Sequence, residues 1–260
     1  MLLIFQTVAC SKEKKDYGVF IGLEPESLEQ LFDYKKVVID ASYYSEEDIR
    51  RLHQHGVKVY SYLNIGSLEE FRDFYAEFEH LVIGDYKNWD DEQWVDVSDE
   101  GWQRNIDLQA QDFVQKGVDG FFLDNADVYY HFPDEKIFQG LLSIFANLNR
   151  LEKELMVNGG DFFVTKALLE EQNPSIRIDA VNQECVFTNI DFEKKELILQ
   201  EEETSDYYKE YLQKCKRKNI EIYLTEYAKD KSGEKQIAEY CKQHGYEYFI
   251  SESINLDDAR

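Results

Sequence analysis

Short apolar runs that end abruptly in a carboxylate or amide side chain recur along this chain. The clearest is Gly-Phe-Phe-Leu-Asp-Asn-Ala-Asp at residues 120–127. A fully buried parallel strand has this pattern where it delivers side chains to a site at its carboxyl end. Comparable runs predict further strands at residues 37–40, 57–64, 94–97, 155–158, 178–186, 221–227 and 246–251.

Helix-like segments separate these strands. Residues 45–52 begin with Ser45, which can cap a first turn, and Gly56 can end the helix. Apolar side chains at helical spacing predict further helices at 102–114, 135–151, 164–171, 206–218 and 234–244, and residues 17–22 can form a short strand or barrel-bottom segment. Eight such βα units predict a single (β/α)8 TIM barrel. The alternative, an open doubly wound sheet, lacks its phosphate-binding glycine signature after the first strand.

Composition favours one folded domain. The 260 residues include only 3 prolines and 13 glycines, which are scattered, and no linker or low-complexity stretch interrupts the alternation. We assign the barrel to residues 17–260. No apolar run approaches the ~18 residues that a membrane span needs.

The chain is strongly acidic. Its 53 acidic and 29 basic residues give a formal net charge of −24, which would repel nucleic acid over most of the surface. A cationic or neutral ligand is easier to accept. The alternative for most individual acids is that they only keep the protein soluble.

The first residues and the cysteines carry separate predictions. Residues 2–10 are apolar and end in Ala9-Cys10, and a polar stretch follows, so residues 1–16 resemble a truncated lipoprotein signal and tether, or else a frayed N-terminus. A lipid on Cys10 would place the protein at the cell surface or outside the cell, whereas the N-terminus as given would leave it in the cytoplasm. The four cysteines lack zinc-ligand spacing, and we expect no metal and no cofactor.

The strand ends should converge on one mouth, because TIM-barrel sites are built from the carboxyl ends of the strands. Acids and amides hydrogen-bond sugar hydroxyls, aromatic faces such as Tyr62 or Trp102 can stack on a sugar, and two carboxyl groups can divide acid and nucleophile roles. A single acid of this kind is often only a strand-end cap or a surface charge. Asp124 and Glu184 are the strongest candidates because both follow buried-looking sequence.

Several blocks resemble glycoside hydrolase family 114. They are YLNIGSLE at 62–69, WVDV at 94–97, GVDGFFLDNAD at 117–127, NGG at 158–160 and NQEC at 182–185. The resemblance implies an endo-α-1,4-polygalactosaminidase-like (β/α)8 barrel with Asp124 as nucleophile and Glu184 as acid/base. Asn64-Ile65, where many members have a Ser-rich segment, and Gln183-Glu184 depart from the family pattern, which bears on the substrate more than on the fold.

Our own inference for the sugar-binding residues is wider. It comprises Asp40, Tyr62, Asn64, Asp96, Asn125, Asp127, Asn158 and Glu226. We expect a monomeric, endo-acting, retaining hydrolase of an α-1,4-linked galactosamine polymer, whose amines would suit an acidic groove. One alternative is a catalytically silent carbohydrate-binding surface lipoprotein on the same barrel. Another is a divalent-metal lyase or aldolase barrel that uses Asp124 and Asp127 as ligands.

Overall fold

The computed structural model describes residues 13–229 and 231–259, and its centre is a sheet of eight parallel strands. The strands are β1 (Lys15–Phe20), β2 (Tyr34–Ile39), β3 (Lys58–Asn64), β4 (Gly120–Asp124), β5 (Glu154–Asn158), β6 (Ala180–Glu184), β7 (Glu221–Tyr227) and β8 (Glu247–Ser251). They are hydrogen-bonded in this order. The rings of Phe20 in β1 and Phe249 in β8 meet edge to face at 5.0 Å, so the first and last strands nearly close the sheet. The predicted (β/α)8 barrel is confirmed.

Helical segments connect the strands and cover the outside of the barrel. The α-helices are α1 (Glu46–Gln54), α2 (Tyr75–Phe78), α3 (Glu100–Lys116), α4 (Val128–His131), α5 (Glu135–Asn149), α6 (Asp161–Val164), α7 (Glu202–Arg217) and α8 (Lys231–His244). Two 3-10 segments, Pro25–Asp33 and Glu79–Leu81, and a π-helical turn, Thr165–Glu170, complete the set.

Local sequence explains where the longer helices begin and end. Ser45 caps α1 through a capping box with Asp48, as its position predicted. Asp99 caps α3 by accepting hydrogen bonds from the N–H groups of Gly101 and Trp102. Gly117 ends α3 at φ 103°, a conformation that glycine adopts without strain. These signals fix the length of each connection and hence the position of the next strand.

One predicted barrel strand is wrong. Glu92–Val95 does not join the barrel; it pairs antiparallel with Ser67–Glu69 and Val82–Asp85 in a small sheet inserted between β3 and α3. The segment at residues 17–22, for which we predicted a short strand or a barrel-bottom segment, belongs largely to β1 (Lys15–Phe20). The barrel therefore has the predicted number of eight strands, but β1 takes the place of the strand predicted at residues 94–97. An apolar run before an aspartate does not distinguish the two cases, because any buried strand needs such a run.

Two insertions extend over the carboxyl ends of the strands. The small sheet follows β3, and the hairpin Thr188–Asp191 with Glu196–Leu199 follows β6. The rings of Trp89, from the first insertion, and Phe192, from the second, meet edge to face with centroids 6.0 Å apart. We call this contact the arch. It links the segments that follow β3 and β6 at the mouth of the barrel.

The predicted boundary near the N-terminus lies slightly earlier in the structure. Lys15 and Asp16, which we assigned to a tether, already belong to β1. Cys10 lies outside the described residues, and its lipidation stays a prediction. Across the part of the chain that the structure describes, no helix is long and apolar enough to cross a membrane.

Candidate active site

Two carboxylates from different strands meet at the mouth through one amide. Asn158, at the end of β5, donates from Nδ2 to Asp124 Oδ1 of β4 at 2.9 Å and to Glu184 Oε1 of β6 at 2.7 Å. The distance between Asp124 Oδ1 and Glu184 Oε1 therefore cannot exceed the sum of these two donor–acceptor distances. The sequence placed all three side chains at strand ends, and adjacent parallel strands bring them together.

A buried chain of hydrogen bonds orients the bridging amide. Asn182 of β6 donates from Nδ2 to Asn158 Oδ1 at 2.7 Å, so the Nδ2 group of Asn158 must face the carboxylates. Tyr17 of β1 and Thr225 of β7 in turn donate to Asn182 Oδ1, at 3.2 and 3.0 Å. Asn182 is fully buried, and its neighbours leave it one orientation. The barrel interior thus fixes the pair.

Tyr227 also contacts the pair, and sequence analysis missed it. Its hydroxyl donates to Glu184 Oε2 at 2.8 Å. Side chains alternate along a strand, so Tyr227 and Thr225 face the barrel axis while Glu226 between them faces outward. This alternation was the available signal, and it selects Tyr227 rather than Glu226.

Burial and a neighbouring charge favour the protonated form of Asp124. The pKa of Asp124 is raised well above its ordinary value by burial and then by the Glu184 charge, while the hydrogen bond from Asn158 opposes the shift. Glu184 accepts hydrogen bonds from both Asn158 and Tyr227.

Asp127 lies beside the pair, is partly exposed, and contacts the loop after β5. Its Oδ2 accepts from the Gly160 N–H at 3.1 Å. Burial, followed by the charge of Asp161, raises the pKa of Asp127 to about 7. A Cβ on Gly159 would lie 2.8 Å from Asp127 Oδ2, and this residue has φ 60°, so glycine is needed there to admit the carboxylate.

Asn125 and Asn64 form a network that supports the small sheet. Asn125 Nδ2 donates to Asn64 Oδ1 at 3.1 Å and to Glu92 Oε1 at 2.7 Å, and Asn64 Nδ2 donates to the same Glu92 oxygen at 3.0 Å. Asn125 lines the central cavity, whereas Asn64 lies outside its lining. The structure thus places Asn64 as a support beneath the site.

Asp40 and Tyr62 line the opposite side together with a residue that we did not predict. Arg72 is bound on two sides, by Asp40 Oδ2 at 3.0 Å and by Glu69 Oε2 at 2.5 Å. The Tyr62 hydroxyl donates to Glu69 Oε1 at 3.2 Å. Arg72 lies in a turn after the strand Ser67–Glu69, where no sequence pattern marked it.

Two predicted binding residues lie elsewhere. Asp96 follows the strand Glu92–Val95 and pairs with Lys136 at 2.6 Å, because that strand is not part of the barrel. Glu226 is fully buried and accepts hydrogen bonds from the N–H groups of Val186, Phe187 and Thr188. It holds the loop after β6. The predicted stacking residue Trp102 is also buried, and its Nε1 donates to the Ile65 carbonyl.

The other predicted site residues, apart from Asn64, line a central cavity of about 700 Å³. They are Asp40, Tyr62, Asp124, Asn125, Asp127, Asn158 and Glu184. Among the described residues that line it, eight are acids and one, Arg72, is a base. The acids are Glu24, Asp40, Glu69, Asp91, Glu92, Asp124, Asp127 and Glu184. Tyr43, Phe71 and Trp89 add partly exposed rings at its edge. The described residues contain no cluster of three or more His, Cys, Asp or Glu side chains arranged to hold a metal ion.

The profile described as glycoside-hydrolase family GH114 matches residues 21–258 of this sequence. The chain belongs to glycoside hydrolase family 114. The predicted resemblance is confirmed, and the barrel is that of a glycoside hydrolase. Residues 21–258 include every side chain of the carboxylate pair and its supports except Tyr17.

Two solved structures share the fold of this chain. The glycoside hydrolase domain of PelA from Pseudomonas aeruginosa is 20% identical, with a TM-score of 0.80, over 94% of this chain and 96% of that one. Ega3 of Aspergillus fumigatus, determined in complex with galactosamine, is 16% identical, with a TM-score of 0.69, over 94% and 92% of the two chains. A search of curated protein sequences found no match.

Proposed function

We propose that this family 114 protein is an endo-acting, retaining hydrolase of an α-1,4-linked galactosamine polymer. The observation that carries the proposal is the pair Asp124 and Glu184, which share the Nδ2 group of Asn158 at 2.9 and 2.7 Å. Retaining glycosidases hold their two carboxyl groups ~5–5.5 Å apart, whereas inverting enzymes need ~6.5–9.5 Å to admit a water molecule. The shared donor sets an upper limit on the oxygen–oxygen distance that favours the retaining class.

The proposed reaction has two steps. Asp124 attacks the anomeric carbon and forms an ester as the glycosidic C–O bond breaks, and Glu184 donates its proton to the leaving oxygen. Glu184 then takes a proton from a water molecule that attacks the same carbon, and the ester bond to Asp124 breaks. The product keeps the configuration of the substrate.

The raised pKa of Asp124 must be lowered before attack, because this carboxyl group must be ionised to act as a nucleophile. Galactosamine carries its amine on C2, next to the reacting carbon, so a bound ammonium group would lie close to Asp124 and favour its ionised form. A substrate without the positive charge would lack this effect.

The charge of the cavity supports a cationic substrate. Its eight lining acids against one base attract ammonium groups, and screening confines this attraction to short range, since the Debye length at physiological salt is about 8 Å. The Ega3 structure contains galactosamine, which is consistent with the same class of substrate here. The partly exposed rings of Tyr43, Phe71 and Trp89 provide flat apolar surfaces for sugar faces.

A reducing-end assay on matched polymers tests the proposal. We expect cleavage of α-1,4-galactosamine polymer and much slower cleavage of its fully N-acetylated form, with NMR showing the α-anomer as the first product. A β-anomer would contradict the retaining mechanism. Binding without cleavage would favour the silent carbohydrate-binding alternative.

Azide distinguishes the two carboxylate roles. If Asp124 is the nucleophile, azide should rescue Asp124→Ala and give the β-glycosyl azide, because azide then attacks directly from the opposite face. Rescue of Glu184→Ala should give the α-glycosyl azide through the covalent intermediate. The reverse pattern would exchange the two roles.

A further inference from the structure

A second cavity, of about 620 Å³, adjoins the central one and is not used by the proposed reaction. Tyr86, Asn88, Asp127 and Tyr208 line both, so the two are neighbours with a common wall. The remaining wall comes from the small sheet and from the segments that follow β4, β5 and β6. We call this space the distal cavity.

Five consecutive rings form one wall of the distal cavity. They are Tyr86, Trp94, His131, Tyr130 and Phe162, with successive centroid distances of 4.4, 4.6, 5.1 and 4.7 Å. We call this series the aromatic rail. It begins at Tyr86, which also lines the central cavity, and it reaches solvent at Phe162. Trp94 is 4% exposed and packs between Tyr86 and His131, so the rail presents its accessible rings to a ligand at the outer end, at Tyr130 and Phe162.

The outer rings are exposed to a degree that folding alone does not explain. Tyr130, Phe162 and Tyr207 are 53%, 48% and 47% exposed, although all three surround the same cavity. Exposed aromatic surface that borders a cavity and is rimmed by polar groups is typical of ligand-binding grooves. Rings in this arrangement offer faces on which successive sugar units can pack.

Two carboxylates face this apolar wall. Asp127 and Asp161 both line the distal cavity, and burial raises the pKa of each; for Asp127 the charge of Asp161 adds to the shift. The Tyr207 hydroxyl donates to Asp161 and holds that carboxylate in place. Asp85 and Lys87 add one charge of each sign at the edge. A ligand cation between Asp127 and Asp161 would relieve their repulsion.

We propose that the distal cavity is a second aminosugar-binding subsite, which holds a further unit of the same cationic polymer by its ring on the aromatic rail and by its ammonium group on Asp127 and Asp161. This inference rests on the proposed function, because the polymer must also reach the catalytic pair. Its location predicts that affinity rises more steeply with oligomer length for the deacetylated polymer than for its N-acetylated form. The subsite would thereby select long, cationic chains.

Calorimetric binding of α-1,4-galactosamine dimer and hexamer tests the subsite, with Glu184→Gln as the background to prevent cleavage. The readout is the ratio of hexamer to dimer affinity. We expect Phe162→Ala with Tyr130→Ala, and separately Asp161→Asn, each to lower this ratio about 5- to 10-fold, the size expected for one stacking or charge contact. Asp161→Asn should change the ratio for N-acetylated oligomers far less.

Matched controls lie on α3, away from both cavities. Leu108→Ala removes an apolar side chain that is 59% exposed, and Asp112→Asn removes a carboxylate that is 58% exposed; neither should change the ratio. Thermal unfolding shows whether Asp161→Asn has folded, and the ring variants keep the test valid if it has not, because the Tyr130 and Phe162 side chains are about half exposed.

The outcomes separate this inference from the proposed function. An unchanged ratio in the rail and Asp161 variants overturns the subsite even if the wild type cleaves the polymer. A lowered ratio together with no cleavage by the wild type supports the subsite and overturns the proposed function. Failure of the wild type to bind any galactosamine oligomer overturns both.

Discussion

The two ends of the barrel contain similar ionisable side chains in opposite states of pairing. At the amino ends of the strands, Lys58 contacts Glu154 at 2.5 Å, the Tyr60 hydroxyl donates to Glu154, and Lys36 lies over the rings of Tyr60 and Tyr223 at 5.0 and 4.5 Å. At the carboxyl ends, eight acids share a cavity with one arginine. At the amino ends, the acid Glu154 thus has a cationic partner, whereas at the carboxyl ends acids outnumber bases around the cavity.

The pKa directions follow this difference. Burial alone would raise the pKa of Glu154, but hydrogen bonds from Lys58 and Tyr60 hold it below its ordinary value. For Asp124 and Asp127, burial prevails and both pKa values are raised. In TIM barrels, the amino end generally serves stability and the carboxyl end function. For Glu154, Asp124 and Asp127, the direction depends on whether hydrogen bonds and cationic partners outweigh the effect of burial.

Removing either catalytic carboxylate should give the largest effect. Asp124→Asn and Glu184→Gln should each lower polymer cleavage at least ~100-fold, the lower range for a positioned acid or base. The melting temperature should stay the same or rise, because each change relieves repulsion in the buried pair. Reducing-end rates and thermal unfolding measure both quantities. Asp96→Asn is the control and should cleave the polymer normally, because Asp96 pairs with Lys136 outside the cavity. Near-normal cleavage by both Asp124→Asn and Glu184→Gln would refute the proposed site.

Glu226 is an exception to the contrast between the barrel ends. It lies at the carboxyl end, but both of its carboxylate oxygens accept hydrogen bonds and it holds a loop in place. Glu226→Ala would leave the N–H groups of Val186, Phe187 and Thr188 without their acceptor. Each unpaired buried group costs ~1–3 kcal/mol, so we expect the free energy of unfolding to fall by about 3 kcal/mol or more. Urea unfolding measures it. Glu226→Gln keeps one acceptor oxygen and should lose less; equal losses would show that the backbone contacts are not what matters.

Stability should fall with rising pH because of the acids at the mouth. The pKa of Asp127 is raised from 3.8 to about 7, so its contribution is complete below about pH 4 and is lost as pH rises to 7. The slope is at most about 1.4 kcal/mol per pH unit for this group. Asp127→Asn should therefore flatten the decline in unfolding free energy between pH 4 and 7, as measured by urea unfolding at each pH. An unchanged slope would contradict the assigned burial.

Glu154 should give a smaller effect with the opposite sign. Its pKa is lowered in the folded protein, so its contribution is present above the ordinary value and is lost as pH falls below it. We expect Glu154→Gln to reduce the loss of stability on acidification and to leave the slope near neutral pH unchanged. Thermal unfolding from pH 3 to 7 compares it with Asp127→Asn. If the two variants altered the same pH range, the contrast between the barrel ends would be lost.

The sequence predicted the barrel and the strand-end positions of Asp124 and Glu184 because both depend on a local pattern, an apolar run that ends in a polar residue. Asp124, Asn158 and Glu184 all follow such runs, and parallel neighbours bring their ends together. The same pattern failed for Asp96, since a buried antiparallel strand has an identical run. Glu226 lies outside the site because side chains alternate along β7, which turns Glu226 toward the loop after β6.

Other parts of the site depend on tertiary contacts that no local pattern contains. Arg72 lies in a turn, and its role follows only from its contacts with Asp40 and Glu69. The aromatic rail joins residues from three separate segments, so its continuity cannot be predicted from their spacing. The alternation that would have identified Tyr227 was present in the sequence, whereas these assemblies required the folded chain.

The arch affects how a long polymer can enter. A closed span over the mouth would force a chain to thread from one end, which suits an exo-acting enzyme. The arch, however, is an edge-to-face contact between Trp89 and Phe192 at 6.0 Å, and such a contact is worth ~0.5–1.5 kcal/mol. Breaking this ring contact therefore costs little, which suits the proposed endo-acting reaction, in which the middle of a chain must enter from the side.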